Sequence, residues 1–328
     1  IMSDSSTQAA RQNTAKVTID NLVRAETDHM IRSQIEAFNL KVGEISHLRD
    51  PVTPENQVVI RCNQDTIYSA AALDLSEPVT ITLPEADGRF MSMLVVNQDH
   101  YIFGESQPGA YELTEENVGT HFAWVLFRTF VDVTDPNDIA AAHAAQDAIE
   151  IAGGGDGPFE APNWDKAALE KARKAVSTLS ELGFNASRAF GRKGEVDPVD
   201  YLVGAIAGWG GQPASMAVYV ILSVEQNDGQ TSYAVTVKDV PVDAFWSITV
   251  YNAQGYLEAN DLGVNSYNNF SAQPNEDGSY TIHFGGCDDG RGNCIPITPG
   301  WNYTVRLYQP HQEILDGSWS FPVPQPVD

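Results

Sequence analysis

Positive charge is scarce in this chain of 328 residues: 19 Lys and Arg stand against 44 Asp and Glu, a net charge of −25. So acidic a surface repels a phosphate backbone and anionic lipid, which excludes nucleic acid and the membrane as expected partners. Long apolar runs are missing too, and no stretch approaches the ~20 residues that span a bilayer. The opening "IMSDSSTQAARQNTAKVT" holds no apolar signal-peptide core, which leaves open whether a leader has been trimmed. Cysteine occurs only 3 times, too rarely for a disulfide framework in a chain this long. The 7 histidines are scattered, with no pair at ligand spacing, so no metal site is expected. No Gly-Lys-Ser/Thr phosphate loop, Gly-x-Ser-x-Gly elbow or His-Glu-x-x-His occurs, and no cofactor is expected.

What is present is apolar and strand-forming. Hydrophobic residues make up 42% of the chain, enough for sizeable cores in two domains. Val17 to Leu40 reads as a helix, with Leu22, Val23, Ile31, Ile35 and Phe38 at mixed threes and fours. "QVVIRC" (Gln57 to Cys62), "PVTITLP", "RFMSMLVV" and "FAWVLFRTFVDV" read as strands, with "ADGR" (Ala86 to Arg89) as a hairpin turn between two of them. "DPNDIAAAHAAQDAIEI" reads as a helix, and "AGGGDGP" (Ala152 to Pro158) as a linker or mobile loop. "NWDKAALEKARKAVSTLSELG" is a helix capped by Asn163 and ended by Gly183, and its bases suggest packing against an acidic surface. "GWGGQP" (Gly208 to Pro213) reads as a tight bend.

From about Met216 strands dominate. "AVYVILSVEQNDGQTSYAVTV" reads as a hairpin turning at Asn227-Asp228-Gly229, followed by "FWSITVYN", "GSYTIHFGG" and "WNYTVRLYQP". Ile248 and Val250 alternate with Thr249 and Tyr251, the pattern of an antiparallel sheet with one solvated face. Strands do not alternate with helices, which disfavours a parallel βαβ sheet. The expected fold is mainly β with α additions: two antiparallel β-sandwich or jelly-roll modules joined by a helical segment. The expected division is 1–152, 153–215 and 216–328.

The densest polar knot is "RCNQDTIYS", where a strand is expected to end. Asn63, Asp65 and Tyr68 offer hydrogen bonds in several directions, as a ligand site or as an Asx-type turn serving its own backbone. His100 ends "NQDH" and is a candidate acid or base beside Asp65. Trp246, Tyr251, Tyr256, Trp301, Tyr303 and Tyr308 suit either a sandwich core or stacking on a sugar. Arg306, inside a strand, calls for a carboxylate partner or a bound anion. In "GGCDDGRGNC" (Gly285 to Cys294), two cysteines fall short of four zinc ligands, and Arg291 among the acids opposes calcium. A disulfide, a pair of adjacent thiols and a catalytic thiol stay open. Cys62 reads as a buried lone thiol.

"NQDTIYSAAALDL" and "LPEADGRFMSMLVVNQDHY" resemble the domain of unknown function 1254. "VKDVPVDAFWSITVYNAQGYLEAN", "NEDGSYTIHFGG" and "ITPGWNYTVRLYQPHQEILDGSWSFPVPQPV" resemble its usual companion, the domain of unknown function 1214. The resemblance covers about Leu40 to Ile151 and Ala217 to Val327. It implies two jelly-roll-like β domains with helical additions, assembled as a homo-oligomer such as a tetramer, and implies little about activity. Many relatives carry Asn-Trp-Leu-Pro where this chain has "NCIP", Asn293 to Pro296. Cys294 then replaces a structural aromatic, which argues against an obligate catalytic cysteine and favours a Cys287–Cys294 disulfide, or two close thiols in a reducing compartment. With the bridge the protein is expected in the periplasm or secreted, and without it in the cytoplasm. The expected function is binding or hydrolysis of a small polar organic ligand, carbohydrate included: Asp65 and His100 catalytic, Asn63, Tyr68, Tyr251 and Arg306 binding. The alternative is a non-enzymatic oligomeric scaffold or chaperone-like protein.

Overall fold

The computed structural model describes residues 13–327. It divides into two compact units, each assembled from separate stretches of chain: 1–48, 68–128 and 145–213 in the first, 49–67, 129–144 and 214–328 in the second. The architecture is mainly β with helical additions.

Seven strands lead through the first half of the chain: β1 (Ile45–Leu48), β2 (Thr66–Leu83), β3 (Met91–Asn97), β4 (Ile102–Glu105), β5 (Gly109–Leu113), β6 (Phe122–Phe130) and β7 (Glu150–Gly155). Their hydrogen-bonded order is β1-β2-β6-β3-β4, and both β5 and β7 also pair with the long β2. The register slips between Asp74 and Val79, so β2 bends, and its two halves face one apolar core. Leu73 from before the bend, Ile81 from after it, and Met93, Val125 and Phe127 from the other strands meet there. β6 lies between β2 and β3, so "ADGR" is a 3-10 turn between strands that do not pair, and not a hairpin turn.

"AGGGDGP" departs most from its sequence reading. Gly153, Gly154 and Gly155 are not a linker but part of β7, antiparallel to the bent part of β2. Side chains are excluded for a steric reason. A Cβ on Gly153 would stand 2.4 Å from the Pro78 carbonyl oxygen, and one on Gly155 would stand 2.2 Å from Asp74 Oδ2. Gly153 and Gly154 also hold φ of +85° and +82°, a region costly for any residue with a Cβ.

Four longer helices are α1 (Leu22–Ala37), α2 (Pro136–Asp147), α3 (Lys166–Ser180) and α4 (Pro198–Ala207). Leu22 and Ala25 of α1, Leu169 of α3 and Ile206 of α4 form a second apolar cluster of the first unit. The acidic surface expected opposite α3 is Glu26 of α1, which accepts two hydrogen bonds from Arg173, at 2.9 and 2.7 Å. Asp165, not Asn163, caps α3 by accepting from the Ala168 N–H.

The second unit is a sandwich of two four-stranded sheets. One has the order β11-β10-β14-β8, from β8 (Ala217–Ser223), β10 (Trp246–Tyr251), β11 (Ser266–Asn268) and β14 (Asn302–Tyr308). The other has the order β13-β12-β9-β15, from β9 (Tyr233–Val237), β12 (Tyr280–Phe284), β13 (Cys294–Ile295) and β15 (Gln325–Pro326). β8 and β9 lie in different sheets, so the Asn227-Asp228-Gly229 turn carries the chain across the sandwich and does not close a hairpin. Ile248, Val250, Tyr303, Val305, Val235, Ile282, Phe284 and Trp301 fill the space between the sheets. The alternation was read correctly, but the second face of β10 and β14 is not solvated: every residue of both strands is buried. "QVVIRC" explains part of this. It forms no strand; Val58 is 87% exposed, while Cys62 at its end packs on Tyr251 and Leu257.

The glycine strand makes a quantitative prediction. Gly153→Ala adds a backbone clash to the positive-φ penalty, whereas Gly183→Ala, at φ +87° with open space around it, incurs only the penalty. The expected losses are about 1–2 kcal/mol for Gly183→Ala and clearly more for Gly153→Ala, read by urea denaturation. Equal losses would remove the steric explanation.

Candidate functional site

Arg61 to Asp65 enter β2 through a tight, stapled path. Gln57 exchanges hydrogen bonds with the Leu257 backbone at 2.8 and 2.9 Å, and the Arg61 N–H donates to the Gly255 carbonyl at 2.7 Å. Gly255 packs closely here: a Cβ there would stand 3.2 Å from Ile60 Cβ. Asn63 Oδ1 accepts from the Asp65 N–H at 2.7 Å, which is the Asx turn read as one of the two options. The polar knot precedes a strand instead of ending one.

This path lies on the outward face of β10 and β14 within the second unit. Alternation puts Ser247, Thr249 and Tyr251 on one face of β10, and Asn302, Thr304, Arg306 and Tyr308 on the same face of β14; Ser247 is paired with Arg306 and Thr249 with Thr304. Asp65 Oδ2 accepts from Ser247 Oγ at 2.6 Å and from Tyr308 Oη at 2.7 Å. Asn63 Nδ2 donates to the same Tyr308 hydroxyl at 2.8 Å. Arg306 donates to Thr249 Oγ1 at 3.2 Å, to the Arg61 carbonyl at 3.0 Å and to Tyr251 Oη at 2.9 Å. Tyr251 in turn donates to the Cys62 carbonyl at 2.6 Å. Phe245 stacks on Tyr308 at 4.2 Å between ring centroids.

Electrostatics hold the charges in place. Burial opposes the charge on Arg306, but Tyr251, Tyr308 and Asp65 together more than offset it, and the guanidinium titrates above its ordinary value. Burial first, and then the Asp65 carboxylate, hold the Tyr308 hydroxyl well above the usual tyrosine range. Burial likewise raises Tyr251. Both tyrosines therefore keep their protons and act as donors.

A cleft of about 390 Å³ adjoins the network. Asp65 and Gln64 line it together with Asp132, Asn265, Asn268 and Phe270, and its lining includes no Lys, Arg or His. Phe270 is 62% exposed at this cleft.

Of the residues singled out by sequence, Asn63, Asp65, Tyr251 and Arg306 come together here. Tyr68 and His100 belong to the first unit. Tyr68 is half-buried, with the Arg128 guanidinium 5.7 Å from its ring centre. His100 is fully buried; its Nε2 accepts from the Gly210 N–H at 2.9 Å, and Phe190 and Trp209 flank its ring. Burial lowers its pKa to about 3, so the imidazole is neutral. Ser247 and Tyr308 complete the network; Ser247 was not singled out, and Tyr308 was read only as an aromatic for a core or for stacking. Their signal was positional: each is on the polar side of a strand whose other side is apolar.

The "GGCDDGRGNC" loop holds a Cys287–Cys294 disulfide, with Cα atoms 5.6 Å apart, and Cys62 is a buried free thiol. Arg291 forks onto Asp289, and those hydrogen bonds hold the Asp289 carboxyl down to about 2. Among the described residues no three His, Cys, Asp or Glu are placed to share a metal ion.

Residues 42–153 match the family model "Protein of unknown function (DUF1254)", and residues 217–312 match "Protein of unknown function (DUF1214)". No curated protein matches the sequence. Among solved structures, the VPA0106 protein from Vibrio parahaemolyticus is similar, with a TM-score of 0.70 at 16% identity over 94% of this chain and 98% of that one. An uncharacterised protein from Burkholderia cenocepacia has a TM-score of 0.49 at 12% identity over 100% of this chain and 91% of that one, too distant to define a fold. The first likeness bears on fold alone.

Two predictions follow from this geometry. Tyr308→Phe leaves Asp65 one donor short and Asn63 Nδ2 without its acceptor; a loss of about 1–3 kcal/mol is expected in chemical denaturation. For His100, a pKa of about 3 in the folded chain against about 6.5 unfolded means that only the unfolded chain takes up the proton between those values. Stability then falls as pH drops from about 6.5 towards 3, by up to about 1.4 kcal/mol per pH unit from this residue. Denaturation across that range should show a shallower slope for His100→Asn, and identical slopes would refute the assignment.

Proposed function

The chain belongs to the family that pairs the DUF1254 and DUF1214 modules, and within it we propose that the second unit binds a small polar organic ligand of the carbohydrate class. One observation carries this reading: Asp65 lines a cleft while Ser247 and Tyr308 hold its carboxylate in a fixed direction. An acceptor fixed before the ligand arrives avoids the ordering cost that a free side chain would incur. Asp132, Asn265 and Asn268 line the same cleft with further polar side chains, and Phe270 offers a flat apolar face. A lining without bases suits a neutral ligand.

Binding is favoured over hydrolysis. A general base must reach the proton it removes, and Asp65 Oδ2 is already occupied by two hydroxyl donors. The neutral, buried His100 is assigned the structural role of accepting the Gly210 N–H. The disulfide supports an oxidising compartment, the periplasm or the cell exterior.

The test is a thermal-shift and calorimetric screen of the full chain against neutral mono- and disaccharides. At least one should raise the melting temperature, and Phe270→Ala should weaken its binding about 3- to 10-fold, the share of one stacking face. A screen in which no sugar shifts the transition overturns the reading.

A further inference from the structure

The outward face of β14 carries a set of polar atoms that the Asp65 network leaves unused. Thr304 is 2% exposed and Asn302 is 9% exposed, yet Thr304 Oγ1 and Asn302 Oδ1 have no hydrogen-bond partner. They sit on the same face of the strand as Arg306, at successive alternate positions, so Cα atoms roughly 7 Å apart separate each from the next. The Asn302 amide is oriented by its own Nδ2, which donates to the Asn252 carbonyl at 2.9 Å, and this leaves Oδ1 as the unmet acceptor.

Arg306 adds to the imbalance. It is 4% exposed and has no carboxylate among its hydrogen-bond partners, which are a hydroxyl, a backbone carbonyl and a phenol. Those bonds use three N–H groups of a guanidinium that has about five, so two remain. Neighbouring Arg61, whose carbonyl accepts from Arg306, has a buried Nε–H without a partner. The unmet inventory is thus several donors, one hydroxyl and one acceptor. Buried polar groups left unpaired cost about 1–3 kcal/mol each, so such a set on one face favours an added partner, a ligand or water.

We propose that Asn302, Thr304 and Arg306 form a second site, distinct from the cleft beside Asp65, that takes a small hydroxy-carboxylate. Its carboxylate accepts from the Arg306 guanidinium and the Thr304 hydroxyl, and its own hydroxyl donates to Asn302 Oδ1. A guanidinium fork matches a carboxylate better than any neutral group. The net charge of −25 repels anions at long range, but that repulsion is screened within about 8 Å at physiological salt, and the contacts at the strand decide binding.

The experiment compares glycolate and lactate with acetate and propionate in thermal-shift titrations of the full chain and of Thr304→Val, an isosteric change that replaces the hydroxyl with a methyl group. Glycolate or lactate should stabilise the native chain at least tenfold more potently than its unhydroxylated counterpart, and Thr304→Val should abolish the difference. The free Thr304→Val chain should melt no lower than the native one, because an unmet buried hydroxyl has been removed. The proposal is overturned if no acid shifts the transition, if acetate and propionate are as potent as glycolate and lactate, or if Thr304→Val melts lower without ligand, which would mean that structural water already serves the hydroxyl. Sugar binding in the cleft is measured alongside, and its success or failure is independent of each of these outcomes.

Discussion

A buried carboxylate and a buried guanidinium, each bonded to its own tyrosine hydroxyl, organise the second unit. Tyr308 donates to Asp65 and Tyr251 accepts from Arg306, and burial keeps both phenols protonated. The segment that carries Asp65 comes from the first fifth of the chain, and Tyr308 from its end. Without that link the outward face of β10 and β14 would present Thr249, Tyr251, Arg306 and Tyr308 to water, as the sequence alternation alone suggests. With it, two strands that read as half-solvated, β10 and β14, are buried on both sides. Charges held this way add little net stability, since desolvation cancels much of their attraction.

The strands of the second unit were legible because their alternation is strict. Ile248 and Val250, or Tyr303 and Val305, point to the inter-sheet core at period two, and no other structure buries that pattern. The pairing of those strands was less legible. Asn227-Asp228-Gly229 and "ADGR" both turn the chain, but a turn specifies a reversal and not the neighbour that follows. In each case the next strand pairs elsewhere. "QVVIRC" misled for a related reason: β-branched residues favour extended backbone, but no sheet edge claims this stretch.

Most of the candidate site could be read in advance. Asn63, Asp65 and Arg306 stand out because polar or charged side chains at strand positions demand partners, and Tyr251 because it alternates with core residues. Ser247 gave only a positional signal and Tyr308 was read only as an aromatic, since Ser and Tyr occur on either face of a sheet without penalty. His100 illustrates the converse. Its chemistry drew notice, and its surroundings of Phe190, Trp209 and a backbone N–H make it a packing residue of the first unit.

The strand of three glycines inverts a habit of reading. A run without side chains is ordinarily the stretch of a protein most open to drift, where insertions and exchanges pass unnoticed. Against the bend of β2 it is the reverse. The backbone of β7 approaches Pro78, Val79 and Asp74 so closely that hydrogen is the only substituent the space admits. The simplest composition in the chain therefore marks a stretch that admits no side chain.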